Sequence, residues 1–132
     1  WVENAAEPVS GTFLAGTDTG DNTISKTGIE VSITGGTLNE DEYRCYADKQ
    51  MKISSEVGNI TSIVIVSTVA NDEKYGPAHF SATGYTYSDK TGTWSGNAES
   101  VTFSTTAQVR MESITVTYVP NGNTPKQPAG LE

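Results

Sequence analysis

The residues that decide the fold read Ile60-Thr61-Ser62-Ile63-Val64-Ile65-Val66. The run is rich in β-branched side chains, which favour strands because they pack well on a pleated surface. A strand this apolar is typical of a position buried on both faces of a sheet or deep inside a sandwich. We therefore interpret residues 60–66 as the middle of the core.

Segments on both sides of this strand alternate apolar and polar residues with a period of two, which is the pattern of half-buried strands. They are Ile29–Ile33, Met51–Ile53, Ser100–Ser104 and Ile114–Tyr118. Turn residues rich in Gly, Asn and Asp separate them at intervals of roughly 10 residues. The sequence therefore predicts an all-β domain, an antiparallel, jelly-roll-like β-sandwich of eight or nine strands.

Length and composition agree with this class. The chain has 132 residues, enough for one domain with a single core, and only 35% of them are apolar. We divide it into an N-terminal leader (1–10), a β-sandwich (11–119) and a linker (120–132) that ends in a cloning remnant, Leu131-Glu132. With no run of eighteen apolar residues, we expect a soluble, secreted or cell-surface module of a larger multimodular protein and no membrane partner.

Charge and cysteine content narrow the function further. A net charge of −8 argues against nucleic acid, because phosphate binding needs a concentrated basic face. Cys45 is the single cysteine, so it forms no disulfide within the chain. Its place in a short strand predicts a small buried hydrophobe rather than a reactive thiol.

The sequence offers little for catalysis, and we expect no enzyme activity. His79 is the only histidine and has no nucleophile motif nearby. The acidic run Glu40-Asp41-Glu42 could supply a carboxylate pair in principle, but neighbours in sequence rarely flank a substrate from opposite sides. We interpret it as a solvated loop.

One segment has the chemistry of a calcium site. Asp18-Thr19-Gly20-Asp21-Asn22 supplies hard oxygen ligands, although it lacks the spacing of an EF-hand. We expect no cofactor, and we name Asp18 and Asp21 as the ligands of a structural Ca²⁺ if one is bound. The alternative is turn formation, for which Asp and Asn are common.

Aromatic and cationic residues carry the main functional signal. Tyr85 and Tyr87 lie two apart and share one face of a strand, so they form either an outward platform for a sugar ring or part of the core. Trp94 follows a hairpin tip, where binding residues concentrate. We predict a ligand-binding set on one sheet made of Lys49, Lys74, Tyr85, Tyr87, Lys90, Trp94 and Arg110. At least one of Arg44 and Arg110 should also pair with an acidic residue.

Several segments resemble those of the β-sandwich carbohydrate-binding modules that are appended to bacterial plant cell-wall-degrading enzymes. They are Tyr43–Tyr46, Asn59–Ile63, Tyr75–Pro77, Lys90–Gly96 and Gln108–Tyr118. The resemblance implies a non-catalytic module that keeps a linked enzyme close to its polysaccharide. Among such modules it favours pectin (homogalacturonan), whose carboxylates would meet Lys49, Lys74 and Lys90.

Three alternatives stay open. The ligand could be a neutral β-glucan or xyloglucan that contacts Tyr85, Tyr87 and Trp94. The domain could instead be a structural or adhesive part of a bacterial surface protein, with its aromatic residues buried. A small lyase with a Lys or Arg base is the remaining candidate.

Overall fold

The computed structural model describes residues 7–121, and this part of the chain consists of twelve strands and one short 3-10 helix. In chain order they are β1 (Val9–Leu14), β2 (Thr23–Lys26), β3 (Ile29–Ile33), β4 (Gly36–Thr37), β5 (Tyr43–Cys45), β6 (Gln50–Ser55), β7 (Gly58–Ser67), the 3-10 helix (Pro77–His79), β8 (Phe80–Ser81), β9 (Tyr85–Ser88), β10 (Thr91–Ala98), β11 (Ser100–Thr105) and β12 (Val109–Pro120).

The larger of two antiparallel sheets has seven strands in the order β4-β5-β12-β7-β10-β9, with β1 also paired to β12. The long strand β12 pairs with β7 along one side and, on its other side, first with β5 and then with β1. β7 in turn pairs with β10, and β9 forms the far edge. Each of the other strands of this sheet thus pairs either with β7 or β12 or with a strand that does.

The smaller sheet has five strands in the order β2-β3-β6-β11-β8. Its strands alternate strictly: Val31, Ile53 and Val101 face inward at matching positions of β3, β6 and β11. The intervening positions are Ser, Thr, Gln, Glu or Lys and face solvent. This alternation is what a sheet with one buried and one solvated face requires.

The core lies between the two sheets. From the larger sheet come Ile63 and Ile65 of β7 and Ile114 and Val116 of β12, all at most 1% exposed. Phe13, Tyr43, Phe103, Met51 and Met111 are the bulkier fully buried side chains around them. Apolar area of this kind contributes roughly 25 cal/mol for each Å² removed from water, so this layer is the main source of stability.

The all-β sandwich predicted from the sequence is therefore confirmed, with twelve strands where eight or nine were expected. The extra elements are two-residue and four-residue strands that leave almost no periodic signal, such as β4 and β8. The predicted strand 29–33 coincides with β3, and Cys45 is buried as expected. The central strand differs in one respect, because only its inner face is buried while Val64 and Val66 are partly exposed.

At the ends of the chain, β1 begins at Val9, two residues before the predicted domain boundary. Most of the predicted leader and linker (1–6 and 122–132) lies outside the described residues. No helix long and apolar enough to span a membrane occurs between residues 7 and 121.

Because consecutive strands are antiparallel, many of the loops gather at one end of the sandwich. β7 ends and β12 begins there, since Ser67 pairs with Met111, and the β9–β10 turn is beside them, since Thr91 pairs with Val66. The loop 46–49 reaches the same end through the hydrogen bond from the Asp48 N–H to the Thr105 carbonyl oxygen. We call this the loop end.

Neighbouring residues of β7 provide a test of the inner and outer faces. Ile65→Ala should lower the free energy of unfolding by about 2–5 kcal/mol because it leaves a cavity in the core. Val64→Ala, on the partly exposed outer face, should lower it by about 1 kcal/mol or less. Urea unfolding of both variants measures the difference, and equal losses would contradict this assignment of faces.

Candidate ligand-binding site

A cleft of about 500 Å³ opens where the edges of the two sheets meet. β8 of the smaller sheet and β9 of the larger one form its walls, and its lining residues are Ala78, Phe80, Ser81, Ala82, Tyr85, Thr86 and Tyr87. We call it the β8–β9 cleft. None of these side chains carries a charge at neutral pH, so the cleft presents aromatic rings, methyl groups and hydroxyls.

Tyr85 forms the inner wall of the cleft. Its ring packs edge-on against Phe103, with 5.5 Å between the ring centroids, and against Phe80 at 6.4 Å. Its hydroxyl donates a hydrogen bond to the Pro77 carbonyl oxygen at 2.7 Å, and burial, with a smaller contribution from Tyr87, raises the pKa of this phenol above its usual value. Gly92 lies directly beneath the ring, where a Cβ would meet the hydroxyl oxygen. Tyr85 is therefore fixed in place.

Tyr87 lies on the same inner face, one pleat further along the edge strand, and is 48% exposed. The two tyrosines do share a face, as the spacing predicted, and that face points inward. Tyr85 is covered by the opposite sheet, whereas Tyr87 lies at the cleft with half of its surface in solvent. The sequence did not decide whether these tyrosines form an exposed platform or part of the core. Tyr85 packs against the core, and Tyr87 is half-exposed at the cleft.

Trp94 corrects the prediction of an exposed ligand contact. The side chain is only 6% exposed and pairs across the strands with Tyr85 on the inner face. Its indole N–H donates to the Thr83 carbonyl oxygen at 2.8 Å, which satisfies the one polar group of the ring. A Cβ at Gly96 would come within 2.6 Å of the ring, so this glycine leaves room for it. Trp94 is a core residue.

The predicted cations all occur at the loop end rather than on a sheet face with the tyrosines. Lys49 precedes β6, Lys74 lies in the loop after β7, and Lys90 lies in the β9–β10 turn. The Asn71 side chain accepts a hydrogen bond from the Asp89 N–H at 3.0 Å and joins the last two of these loops. Within residues 7–121 none of the three lysines forms an ion pair, although each follows an acidic residue in the chain.

Arg110 is held by its neighbours. Its Nη1 forms an ion pair with Glu42 Oε2 at 3.0 Å, and its Nε donates a hydrogen bond to Gln108 Oε1 at 2.7 Å. Arg44 Nε donates to the same Glu42 oxygen at 3.1 Å, so the expected pairing of these arginines with an acid is confirmed for both. The Arg110 guanidinium also lies 3.7 Å from the centroid of the Tyr75 ring, and Lys74 Nζ lies 5.4 Å from it.

The structure does not bring Asp18 and Asp21 together with further metal ligands. No group of three or more His, Cys, Asp or Glu side chains converges in the part of the chain that is described. Asp18 Oδ2 instead accepts hydrogen bonds from the Leu14 N–H at 2.8 Å and from Lys26 Nζ at 3.0 Å. These two donors hold the pKa of the Asp18 carboxyl below its usual value. The turn interpretation accounts for Asp18 without an ion.

The residues considered for catalysis or reactivity from the sequence make structural contacts or are buried. The His79 Nε2 atom lies 3.0 Å from the Glu73 carbonyl oxygen, so its partner is the backbone of its own loop. Burial raises the pKa of the Cys45 thiol to about 12, which leaves almost no thiolate at neutral pH. Glu42, interpreted from sequence as part of a solvated loop, is only 25% exposed and bridges two arginines.

The predicted ligand-binding set lacked two residues, Glu42 and Tyr75, that contact Arg110. Both are placed by contacts between residues far apart in the chain, and period-two patterning carries no information about such contacts. A partial signal was available for Arg44 and Arg110, since a charge inside a strand needs a partner.

The fold and the cleft together define an all-β sandwich domain with a solvent-open, uncharged aromatic groove at one edge. Comparisons with protein-family models, curated proteins and solved structures found no match for this chain.

The lowered Asp18 pKa makes part of the stability pH-dependent. Because folding favours the ionised carboxylate, its contribution is complete above the unfolded pKa of about 3.9 and is lost as the pH falls through the lower folded-state value. The melting temperature of the parent should therefore fall more on acidification from pH 6 to about pH 2 than that of Asp18→Asn. Asp21→Asn is the matched control and should follow the parent. Parallel curves for the parent and Asp18→Asn would contradict this role of Asp18.

Proposed function

We propose that this domain is a non-catalytic binding module for an extended plant cell-wall polysaccharide, and that the β8–β9 cleft is its ligand site. The observation that carries the proposal is a half-exposed tyrosine ring, Tyr87, at an open cleft without charged lining residues. A sugar ring presents apolar C–H groups on its faces and hydroxyls at its rim. Tyr87 offers its ring for the former and its own hydroxyl as a hydrogen-bonding partner for the latter.

The shape of the cleft suits a polymer better than a small metabolite. It lies between two sheet edges and is open to solvent, so a ligand longer than the cleft is not enclosed by it. Such a site buries little of each sugar, and we expect weak affinity for a single unit. Tethering to a linked enzyme would raise the effective concentration and offset this weakness.

The uncharged lining favours a neutral glycan such as a β-glucan or xyloglucan. An alternative cleft of about 360 Å³ is lined by Asn59, Thr61, Asn97, Val119, Pro120 and Asn121 and contains no aromatic side chain. It offers hydrogen bonds but no ring on which a sugar could stack. Among these two clefts, the β8–β9 cleft is therefore the better glycan site.

Pectin is the second candidate, and a separate observation favours it. Lys49, Lys74 and Lys90 form no ion pair with the described residues, so their ammonium groups are available to galacturonate carboxylates. Against this, Asp48, Glu73 and Asp89 each precede one of these lysines and lower the local positive potential. A neutral glycan is accordingly the first expectation.

Tyr87→Ala tests the cleft directly. Loss of the ring should weaken binding to the preferred neutral glycan by about tenfold or more, while the free energy of unfolding changes by about 1 kcal/mol or less. Tyr46→Ala is the matched control, because Tyr46 is 42% exposed and does not line the cleft. Affinity electrophoresis in gels with xyloglucan, mixed-linkage β-glucan, glucomannan and homogalacturonan measures the effect. Equal retardation of the Tyr87→Ala variant and the parent in every gel would refute the proposed site.

The same gels separate neutral from acidic ligands. If homogalacturonan is bound through the lysines, Lys74→Gln combined with Lys90→Gln should abolish its retardation, and added salt should have the same effect on the parent because it screens exposed charges. If the cleft binds a neutral glycan, the double variant should be retarded as the parent is. No retardation of the parent by any polysaccharide would favour a structural or adhesive domain.

A further inference from the structure

Two arginines lie directly opposite each other on the larger sheet. Arg44 of β5 and Arg110 of β12 are cross-strand partners, an arrangement in which like charges repel. Glu42 Oε2 accepts a hydrogen bond from Arg44 Nε at 3.1 Å and forms an ion pair with Arg110 Nη1 at 3.0 Å, which offsets part of this repulsion. One carboxylate serves two guanidinium groups, so the trio keeps one net positive charge.

Much of the hydrogen-bonding capacity of this pair is unused by the protein. A guanidinium has five N–H donors, and the hydrogen bonds to Glu42 and Gln108 occupy only the Nε atom of each arginine, while Arg110 Nη1 forms an ion pair with Glu42. The other donors of Arg44 and Arg110 have no hydrogen-bond partner among residues 7–121. The side chains are 31% and 25% exposed, so part of each arginine is open to solvent.

Tyr75 orients the pair. Its ring lies 3.7 Å from the Arg110 guanidinium, and its carbonyl oxygen accepts a hydrogen bond from the Arg110 N–H at 3.1 Å. The Tyr75 backbone has φ of 79°, a left-handed conformation that is costly for a bulky aromatic residue. Strain of this kind persists where the surroundings fix it and is common at binding sites. Lys74 adds a further cation at the same ring.

Apart from Glu112, which is exposed two residues after Arg110 on β12, the surface beside the pair is uncharged and rich in hydroxyls. β1, β7, β9 and β10 contain no charged residue, and the outward positions of β12 beyond the pair include Ser113, Thr115 and Thr117. The hydroxyls of Thr115 and Thr12 bond across the strands at 2.9 Å, and so do those of Thr117 and Ser10 at 2.7 Å. A ligand matched to this surface is rich in hydroxyls and places a carboxylate at the arginine pair.

We propose that Arg44 and Arg110 form a second binding site, which accepts the carboxylate of a uronic acid, with neighbouring sugar units on the hydroxyl-rich outer face of the larger sheet. A planar carboxylate matches the fork of a guanidinium, and charge-assisted bonds of this kind are among the stronger ones. The site lies on the outer face, apart from the β8–β9 cleft, and does not depend on the function proposed for that cleft.

Binding of a short galacturonate oligomer, followed by isothermal titration calorimetry, tests the site. Arg44→Gln should weaken binding by about tenfold, because it removes charge-assisted hydrogen bonds. Lys52→Gln is the charge-matched control, since it removes a cation from the outer face of the other sheet, and it should change the affinity by about twofold or less. Equal losses in the two variants, or none in Arg44→Gln, would overturn the proposal.

Two further variants keep the test independent of folding defects. Arg44→Lys keeps the charge and loses the fork, so it should bind the oligomer more weakly than the parent. Glu42→Gln removes the competing carboxylate and should bind it more tightly, provided that thermal unfolding shows a folded domain. A folded Glu42→Gln variant with unchanged or weaker binding contradicts the proposal.

The cleft and the arginine site are distinguished by Tyr87→Ala. This variant should bind the galacturonate oligomer as the parent does, whatever happens to its binding of neutral glycans. If it loses the oligomer while Arg44→Gln retains it, the carboxylate site is in the cleft and the arginine pair has only a structural role.

Discussion

The pairing of β7 with β12 is the constraint on which the other features of the molecule depend. These are the longest strands, and their inner faces supply Ile63, Ile65, Ile114 and Val116 to the centre of the core. β12 carries β5 and β1 on its far side, while β7 carries β10 and then β9. The cleft depends on this ladder through β10 and β9, and the arginine pair depends on β12 through its pairing with β5.

Two irregularities in that ladder matter for the surface. The register shifts between Met111 and Ser113 and again between Thr117 and Tyr118. An extra residue in one strand adds local twist and re-aims the side chains that follow. Met111 and Ile114 both point inward across the first shift, while Glu112 is exposed between them. The strand thus passes from the charged segment at Arg110 to the hydroxyl-bearing segment without losing its core positions.

The cleft follows from the way in which the sandwich ends. β9 is an edge strand of four residues, and its inner face extends past the cover that the smaller sheet provides. Phe80 and Phe103 cover Tyr85, and Tyr87 is left half-exposed. An inward-facing residue at such an edge has one side on the core and one in solvent, which suits a tyrosine because it is apolar in its body and polar at its tip.

Local patterning predicted the strands because burial on one face repeats every two residues, and segments such as Ile29–Ile33 display that repeat directly. It also placed Tyr85 and Tyr87 on a common face. It could not decide whether that face is the inner one, because an aromatic pair serves equally well in a core and on a platform. For Trp94 a signal was present in Gly92 and Gly96, which flank it on the same face and leave space for large rings. Such spacing favours burial, since an exposed ring needs no small neighbours.

The cluster of Arg44, Arg110 and Glu42 could not be predicted from local patterning, for a different reason. Arg44 and Arg110 become neighbours only through the β5–β12 register, and Glu42 meets Arg110 only as a consequence. A net charge of −8 gives no hint of such a pair, because the potential of the whole chain is screened within about 8–10 Å at physiological salt. A bound ligand interacts mainly with the positive and negative charges close to its own site. Each exposed lysine of the loop end follows an acidic residue, whereas two arginines share a single carboxylate. An acidic protein can therefore carry a local site for a carboxylate, and a polymer that reached both the proposed arginine site and the proposed cleft site would be bound more tightly than either site alone would allow.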